Sequence, residues 1–285
     1  MSKLKIAIQK SGRLNQDSLK LLKDCGISVE NGIDQLKVNV GNFPMEILYL
    51  RNSDIPQYVE DGVVDIAIIG ENLLIEKQNK VSIVQKLGFS KCKVSLAIPK
   101  EVEDESLEYF NGRKIATSYP NTLQAFLDKN NINAEIHTIS GSVEIAPNIG
   151  LSDGICDIVS TGSTLFKNGL KETQVMLKSE AVLIKSNQLP TEQKQILDKL
   201  LFRIQSVLRA KNTKYILMNV PNDKIAEVSS ILPVLKSPTI LPLAEEGWSS
   251  LHSVIDEDKF WNVIDELKNA GAEGILIVPI DKMVL

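Results

Sequence analysis

Thr161-Gly162-Ser163-Thr164 follows directly on Ile155-Cys156-Asp157-Ile158-Val159-Ser160, an apolar run that reads as a buried strand, and leads into a short helical pattern from Leu165. Backbone N–H groups, hydroxyls and a helix start therefore meet at one turn. Such a turn suits a phosphate, because unpaired amides and the helix dipole both favour negative charge. Capping by Ser or Thr explains one such residue, but four small residues in a row exceed what a cap needs. Asp157, four residues before the loop, is placed to accept hydrogen bonds from sugar hydroxyls or to meet a hydrated Mg²⁺. The alternative is a structural aspartate, since Asp65 holds the same place in a second copy of the pattern.

Arginine carries information here because only Arg13, Arg51, Arg113, Arg203 and Arg209 occur among 32 cations. Its planar fork binds phosphate as an ammonium cannot. Arg13 lies in Gln9-Lys10-Ser11-Gly12-Arg13-Leu14, between the first strand and first helix, where Lys10 and Arg13 form a candidate pyrophosphate clamp; two solvated cations on a polar turn are the alternative. Arg51-Asn52-Ser53-Asp54 follows another strand and is either a second anion contact or an N-cap turn. Gly141-Ser142-Val143-Glu144 puts a carboxylate at a helix start, where a capping box explains it almost as well as catalysis. There is no Gly-x-x-x-x-Gly-Lys-Ser/Thr loop. His137 and His252 are too isolated for a metal site or a triad.

The elements that must position these residues alternate between strand and helix, as in open α/β sheets. Strands are expected at 3–9, 45–50 and 64–69, with helices at 15–25 and 53–61 stopped by Gly26 and Gly62. Residues 61–70 match 153–162 at an offset of 92, and Lys5-Ile6-Ala7 echoes Lys114-Ile115-Ala116. The shared order favours two related lobes with a cleft between them, strand ends facing the ligand. One long amphipathic helix is expected at 190–211. Beyond it, 215–279 reads strand, helix, strand, strand, helix, strand, the ferredoxin-like plan.

Composition sets the outer bounds. At 43% hydrophobic the chain can bury a core, and its formal charge of −4, with signs mixed, offers no basic field for nucleic acid or an anionic membrane. The three cysteines, odd in number and widely spaced, fit reduced buried thiols in a cytoplasmic protein. No apolar run approaches the ~20 residues of a membrane span.

Lys10-Ser11-Gly12-Arg13-Leu14, Ala116-Thr117-Ser118-Tyr119-Pro120-Asn121, Gly141-Ser142-Val143-Glu144-Ile145-Ala146-Pro147, Asp157-Ile158-Val159-Ser160-Thr161-Gly162-Ser163-Thr164-Leu165 and Ser237-Pro238-Thr239-Ile240-Leu241-Pro242-Leu243 together resemble the ATP phosphoribosyltransferase family, in its long, self-regulated form. The resemblance covers essentially the whole chain. It implies an α/β fold with a two-lobed catalytic part like periplasmic binding proteins and a C-terminal ferredoxin-like (ACT-like) regulatory domain. The expected divisions are 1–98 plus 180–213 for the first lobe, 99–179 for the second and 214–285 for the regulatory module.

The reaction it implies joins N1 of the adenine of ATP to C1 of phosphoribosyl pyrophosphate, with Mg²⁺, as the first step of histidine biosynthesis. Carried over by position, Glu144, Asp157, Ser160, Thr161, Gly162, Ser163 and Thr164 bind the phosphoribosyl donor. Lys10, Arg13 and Asp157 serve catalysis, and Arg51, Glu71, Asn72 and Tyr119 lie on the ATP side. Mg²⁺ is held through substrate phosphates, with Asp157 or Glu144 as protein contacts. Ser237, Thr239 and Ala272 contact histidine as feedback inhibitor, and the protein assembles as dimers toward a hexamer. A solute-binding protein, the competing reading, has no use for a phosphate loop at 161–164.

Overall fold

A computed structural model describes residues 2–29, 36–232 and 237–284. These form two compact units. One comprises the chain up to Lys23 with Ile27–Leu197, the other Asp24–Gly26 with the chain from Asp198 onward.

The first unit contains two sheets. Its elements are β1 (Leu4–Gln9), α1 (Arg13–Asp24), β2 (Lys37–Asn39), β3 (Met45–Leu50), α2 (Ile55–Glu60), β4 (Ile66–Gly70), α3 (Glu71–Lys77), β5 (Ser82–Lys86), β6 (Cys92–Pro99), β7 (Lys114–Thr117), α4 (Pro120–Lys129), β8 (Glu135–Thr138), β9 (Gly154–Val159), α5 (Ser163–Lys167), β10 (Leu170–Ser179), β11 (Ala181–Lys185) and the start of α6 (Thr191–Lys211), most of which belongs to the second unit, with short 3₁₀ turns between some of them. The first sheet runs β2-β3-β1-β4-β11-β5 and the second β10-β6-β9-β7-β8. β1 pairs in parallel with β3 and β4, and β7 with β8 and β9. Central strands of this kind are covered on both faces, which is why Leu4, Ile6, Ala7 and Ile8 are all fully buried in consecutive or near-consecutive positions.

Sheet membership changes twice, at 87–91 and at Glu180, so two crossovers join the lobes. The expected division at 98/99 lies at the far end of β6, whereas β6 is an interior strand of the second sheet, paired with β9 and β10. Likewise the second compact unit starts at Asp198, inside α6, rather than at 214.

The two lobes repeat each other, but not at the offset that the sequence suggests. Asp65 accepts the N–H of Lys5 through its carboxylate at 2.7 Å and donates its own N–H to the Lys5 carbonyl at 3.1 Å. Asp153 does the same to Lys114, at 2.8 and 2.9 Å. Asp65 therefore matches Asp153, an offset of 88 rather than 92, in agreement with Ile6 lying opposite Ile66 and Ile115 opposite Gly154. In this register Asp157 aligns with Ile69. The structural precedent that Asp65 offered for Asp157 disappears.

The second unit adds β12 (Thr213–Pro221), α7 (Ile225–Ile231), β13 (Thr239–Pro242), β14 (Trp248–Asp256), α8 (Glu257–Asn269) and β15 (Glu273–Pro279). Its antiparallel sheet has the order β13-β14-β12-β15, the arrangement of a ferredoxin-like module. Alternation decides which face is covered: Ile216, Met218 and Val220 of β12 are buried with Val228 and Leu267 from the two helices.

Candidate active site

Every site loop of the first unit leaves the carboxyl end of a parallel strand. Lys10 and Arg13 follow β1, Arg51 follows β3, Glu71 and Asn72 follow β4, Tyr119 follows β7, and the 160–164 loop follows β9. This is the edge at which open α/β sheets present ligands.

The 160–164 loop and its neighbours enclose a cavity of about 290 Å³ lined by Glu144, Asp157, Ser160, Thr161, Gly162 and Thr164, among others. Gly162 is in the left-handed region at φ 76°, which turns the chain into α5 without the steric cost a side chain would meet. α5 has only five residues, so its dipole is small, and the open amides of its first turn are the donors that matter. The Thr161 and Ser163 hydroxyls lie 3.1 Å apart and hold the loop in shape. The loop thus presents hydroxyl and N–H donors to one side of this cavity.

Asp157 borders the same cavity. Burial pushes its carboxyl up to about 6; the N–H of Ile158, donated to its side chain at 2.8 Å, works against that, and the nearby Glu144 raises it further. Two carboxylates facing one small cavity repel each other, so the pocket is completed by something positive or by hydroxyl donors. That donor set suits a hard divalent cation shared with substrate oxygens. Among the described residues there is no group of three or more His, Cys, Asp or Glu that could hold a metal by itself.

Across the cleft, Gly12 at φ 90° turns the chain into α1, whose first residue is Arg13. Arg13 donates from Nη1 to the Ser160 hydroxyl at 3.4 Å, and its Nε lies 3.8 Å from Asp17. One candidate clamp residue from the first lobe therefore touches the 160–164 loop of the second. Lys10 is anchored by its backbone, its N–H donating to the Leu50 carbonyl at 2.9 Å. Arg51 is exposed at the next turn, beside Asn52, whose side-chain oxygen is buried with no donor among the described residues.

The residues expected on the ATP side divide. Glu71 pairs with Lys86 at 3.1 Å and lines a second cleft cavity. Asn72 is buried, accepts from the Ser179 hydroxyl at 2.9 Å and donates to the Tyr119 hydroxyl at 3.3 Å, so these two face each other rather than open space. Sequence reasoning passed over the cations of that second cavity, about 400 Å³, lined by Lys86, Lys91, Lys93 and Lys178 with Cys92 and Ser160. The alternation Lys91-Cys92-Lys93 at the crossover was its only trace in the sequence. The cysteines are free thiols, and burial raises Cys25 to about 11 and Cys156 to about 12, so both stay protonated.

The residues expected to contact histidine lie in the second unit but not together. Thr239 opens β13 at one sheet edge, and the buried Ala272 immediately precedes β15 at the other. Three strand spacings separate those edges, about 14 Å before any offset along the strands. His252 bridges the Tyr215 hydroxyl (2.7 Å) and the Ser250 hydroxyl (2.9 Å) on the sheet.

Comparison with known proteins resolves the identity. The family model HisG: ATP phosphoribosyltransferase matches residues 51–206, and HisG, C-terminal domain matches 210–282. The chain belongs to the ATP phosphoribosyltransferase family. Among curated ATP phosphoribosyltransferases, that of Cytophaga hutchinsonii is 57% identical over 281 residues, 99% of this chain and 98% of that protein. That of Bacteroides thetaiotaomicron is 52% identical over 282 residues, 99% and 100%. The ATP phosphoribosyl transferase (HisG:HisZ) complex from Thermotoga maritima contains a chain with TM-score 0.60 and 29% identity, covering 71% of this chain and 98% of that one. A periplasmic sulfonate-binding protein from Methylobacillus flagellatus, at TM-score 0.50 and 15% identity, covers 72% of this chain and 67% of that one and shares the fold alone. The chain is accordingly a long-form ATP phosphoribosyltransferase by family, a pentosyltransferase that moves the phosphoribosyl group of phosphoribosyl pyrophosphate to ATP at the first step of histidine biosynthesis.

Proposed function

We propose that the donor lies across the two facing loops, its 5-phosphate in the cradle of Ser160, Thr161, Gly162, Ser163 and Thr164 and its ribose hydroxyls on Asp157. The observation that carries this reading is the convergence of Asp157, Glu144 and the hydroxyl-lined loop on one cavity, with Arg13 reaching it from the opposite lobe. Lys10 and Arg13 then meet the pyrophosphate. Asp157 and Glu144 are the residues that would hold Mg²⁺ together with the substrate phosphates, and the ion would supply charge neutralisation of the leaving group. ATP takes the neighbouring cavity, which Glu71, Lys91 and Lys178 line, with the two lysines toward its phosphates and Arg51, at the turn after β3, as a further contact. Asn72 and Tyr119 support that wall through their mutual hydrogen bond.

The chemistry asks little covalent help of the protein. Adenine N1 is already a nucleophile, so positioning and charge stabilisation carry most of the rate. As the C1–O bond breaks, positive character grows on the sugar and negative charge on the pyrophosphate, and Arg13 gains interaction energy along that path.

We further propose that the second unit binds histidine through Ser237, Thr239 and Ala272 and inhibits turnover, in a cytoplasmic homo-oligomer of dimers building toward a hexamer. The edge-to-edge separation of Thr239 and Ala272 supports a site to which two copies contribute. A coupled pyrophosphate-release assay with ATP and phosphoribosyl pyrophosphate, with and without histidine, tests both ends of the chain. Release that requires both substrates and falls with histidine sustains the reading; release indifferent to histidine removes the regulatory half of it.

A further inference from the structure

α3 carries two buried polar side chains one turn apart on one face, Asn72 and Glu76, each about 6% exposed. Both are committed to the other lobe. The Glu76 carboxylate accepts the N–H of Asn121 at 3.0 Å, the N–H of Thr122 at 2.8 Å and the Thr122 hydroxyl at 2.7 Å, while its carbonyl accepts the Asn121 side chain at 2.9 Å. Asn121 and Thr122 stand in the first turn of α4. The N-cap of that helix, Tyr119, gives no side-chain cap bond, and Pro120 has no N–H to offer. The first free donors of α4 are thus the two amides that Glu76 takes, and its negative charge also suits a helix N-terminus. A buried carboxylate is costly unless it is hydrogen-bonded throughout, and here three donors answer two oxygens.

The connection continues inward. The Tyr119 N–H donates to the Thr117 hydroxyl at 2.8 Å, and that hydroxyl donates to the Cys156 carbonyl at 2.7 Å, one residue before Asp157 on β9. On the first-lobe side the fit is close enough to require Gly70, where a Cβ would lie 2.4 Å from the Asn72 side-chain oxygen.

We propose that Glu76 is a positioning residue: it caps α4 from the opposite lobe and thereby sets β9, with Asp157 and the 160–164 loop, at the distance from Arg13 that the reaction needs. The inference rests on the donor site described above. It predicts a split between binding and turnover, because most of the donor's contacts, the 160–164 cradle and Asp157, lie within one lobe, whereas the reacting geometry needs both lobes in register.

The test uses full-length Glu76→Gln and Thr122→Val. Gln at 76 turns an NH₂ donor toward groups that themselves donate; Val at 122 removes one hydroxyl bond and keeps both amides. For folded Glu76→Gln, turnover is expected to fall by about fivefold or more while calorimetric affinity for phosphoribosyl pyrophosphate stays within about threefold of wild type. A smaller loss of turnover, or an affinity loss as large as the turnover loss, overturns the proposal. If Glu76→Gln does not fold, Thr122→Val decides: a fall in turnover of about twofold or more at unchanged affinity sustains the proposal, and anything else overturns it. Failure of wild-type protein to bind the donor sinks the site assignment instead, and is seen separately in the same calorimetry.

Discussion

The environment of Asp157 changes how its carboxyl behaves. Burial first, and then Glu144, carry its carboxyl from an ordinary 3.8 to about 6. A folded-state pKa above the unfolded one means that this group's contribution to stability is complete below 3.8 and is lost as pH rises through about 6. Asp157→Asn, which stays neutral, is therefore expected to raise the melting temperature of ligand-free protein above about pH 6 and to leave it unchanged below about pH 4. Thermal scans across that range check it, and equal melting temperatures throughout would remove the strained carboxylate. The same variant should bind donor more weakly. For the two sides of the cleft the expected kinetic signatures differ. Arg13→Ala lowers turnover by about tenfold or more with a milder effect on donor affinity, because the pyrophosphate, already anionic in the donor, gains further charge as the bond breaks. Thr161→Ala mainly weakens donor binding, since a grip on the phosphate is nearly uniform along the reaction path. Steady-state kinetics beside calorimetry separates the two, and unchanged turnover in Arg13→Ala would refute its role.

At the scale of elements, β9 is the part on which the site depends, and Gly154 shows how tightly it is seated. A Cβ there would lie 2.7 Å from the Phe110 ring and 2.9 Å from the Ala97 carbonyl of the neighbouring strand, and the second of these is backbone that cannot swing aside. Gly154→Ala is expected to destabilise the protein by about 1–3 kcal/mol, as overpacking does. Urea unfolding measures this directly, and a midpoint equal to wild type would mean that β9 has slack. The elements also show why the repeat misleads when read from sequence. Asp61-Gly62 and Asp153-Gly154 look equivalent, yet the aspartates that anchor the two lobes are Asp65 and Asp153, each clasping the backbone of a lysine in the adjacent strand. Hydrogen bonding to a partner strand sets register, and nothing in the local string of residues encodes which Asp will meet that partner.

For the whole molecule, the regulatory proposal predicts separable functions. Thr239→Ala, exposed at the start of β13, is expected to weaken histidine inhibition while turnover without histidine stays within about twofold of wild type. A histidine titration of pyrophosphate release checks this; full inhibition in the variant would move the contact elsewhere. Coupling of this kind is reciprocal, so saturating substrates should weaken histidine binding by the factor by which histidine weakens theirs. The sequence by itself determined the α/β class, the long helix at 190–211 and the succession of strands and helices in the ferredoxin-like unit, because hydrophobic period, glycine stops and turn residues act locally. It also supplied the candidate donors of the 160–164 loop, because they are adjacent in the chain. Only the tertiary structure decided that Asn72 faces Tyr119, that Lys86, Lys91, Lys93 and Lys178 share one cavity, and that Glu76 caps a helix 45 residues further along the chain. Those facts depend on where two lobes and their crossovers bring distant side chains. A buried glutamate in an amphipathic helix looks the same in sequence whether water or another helix receives it.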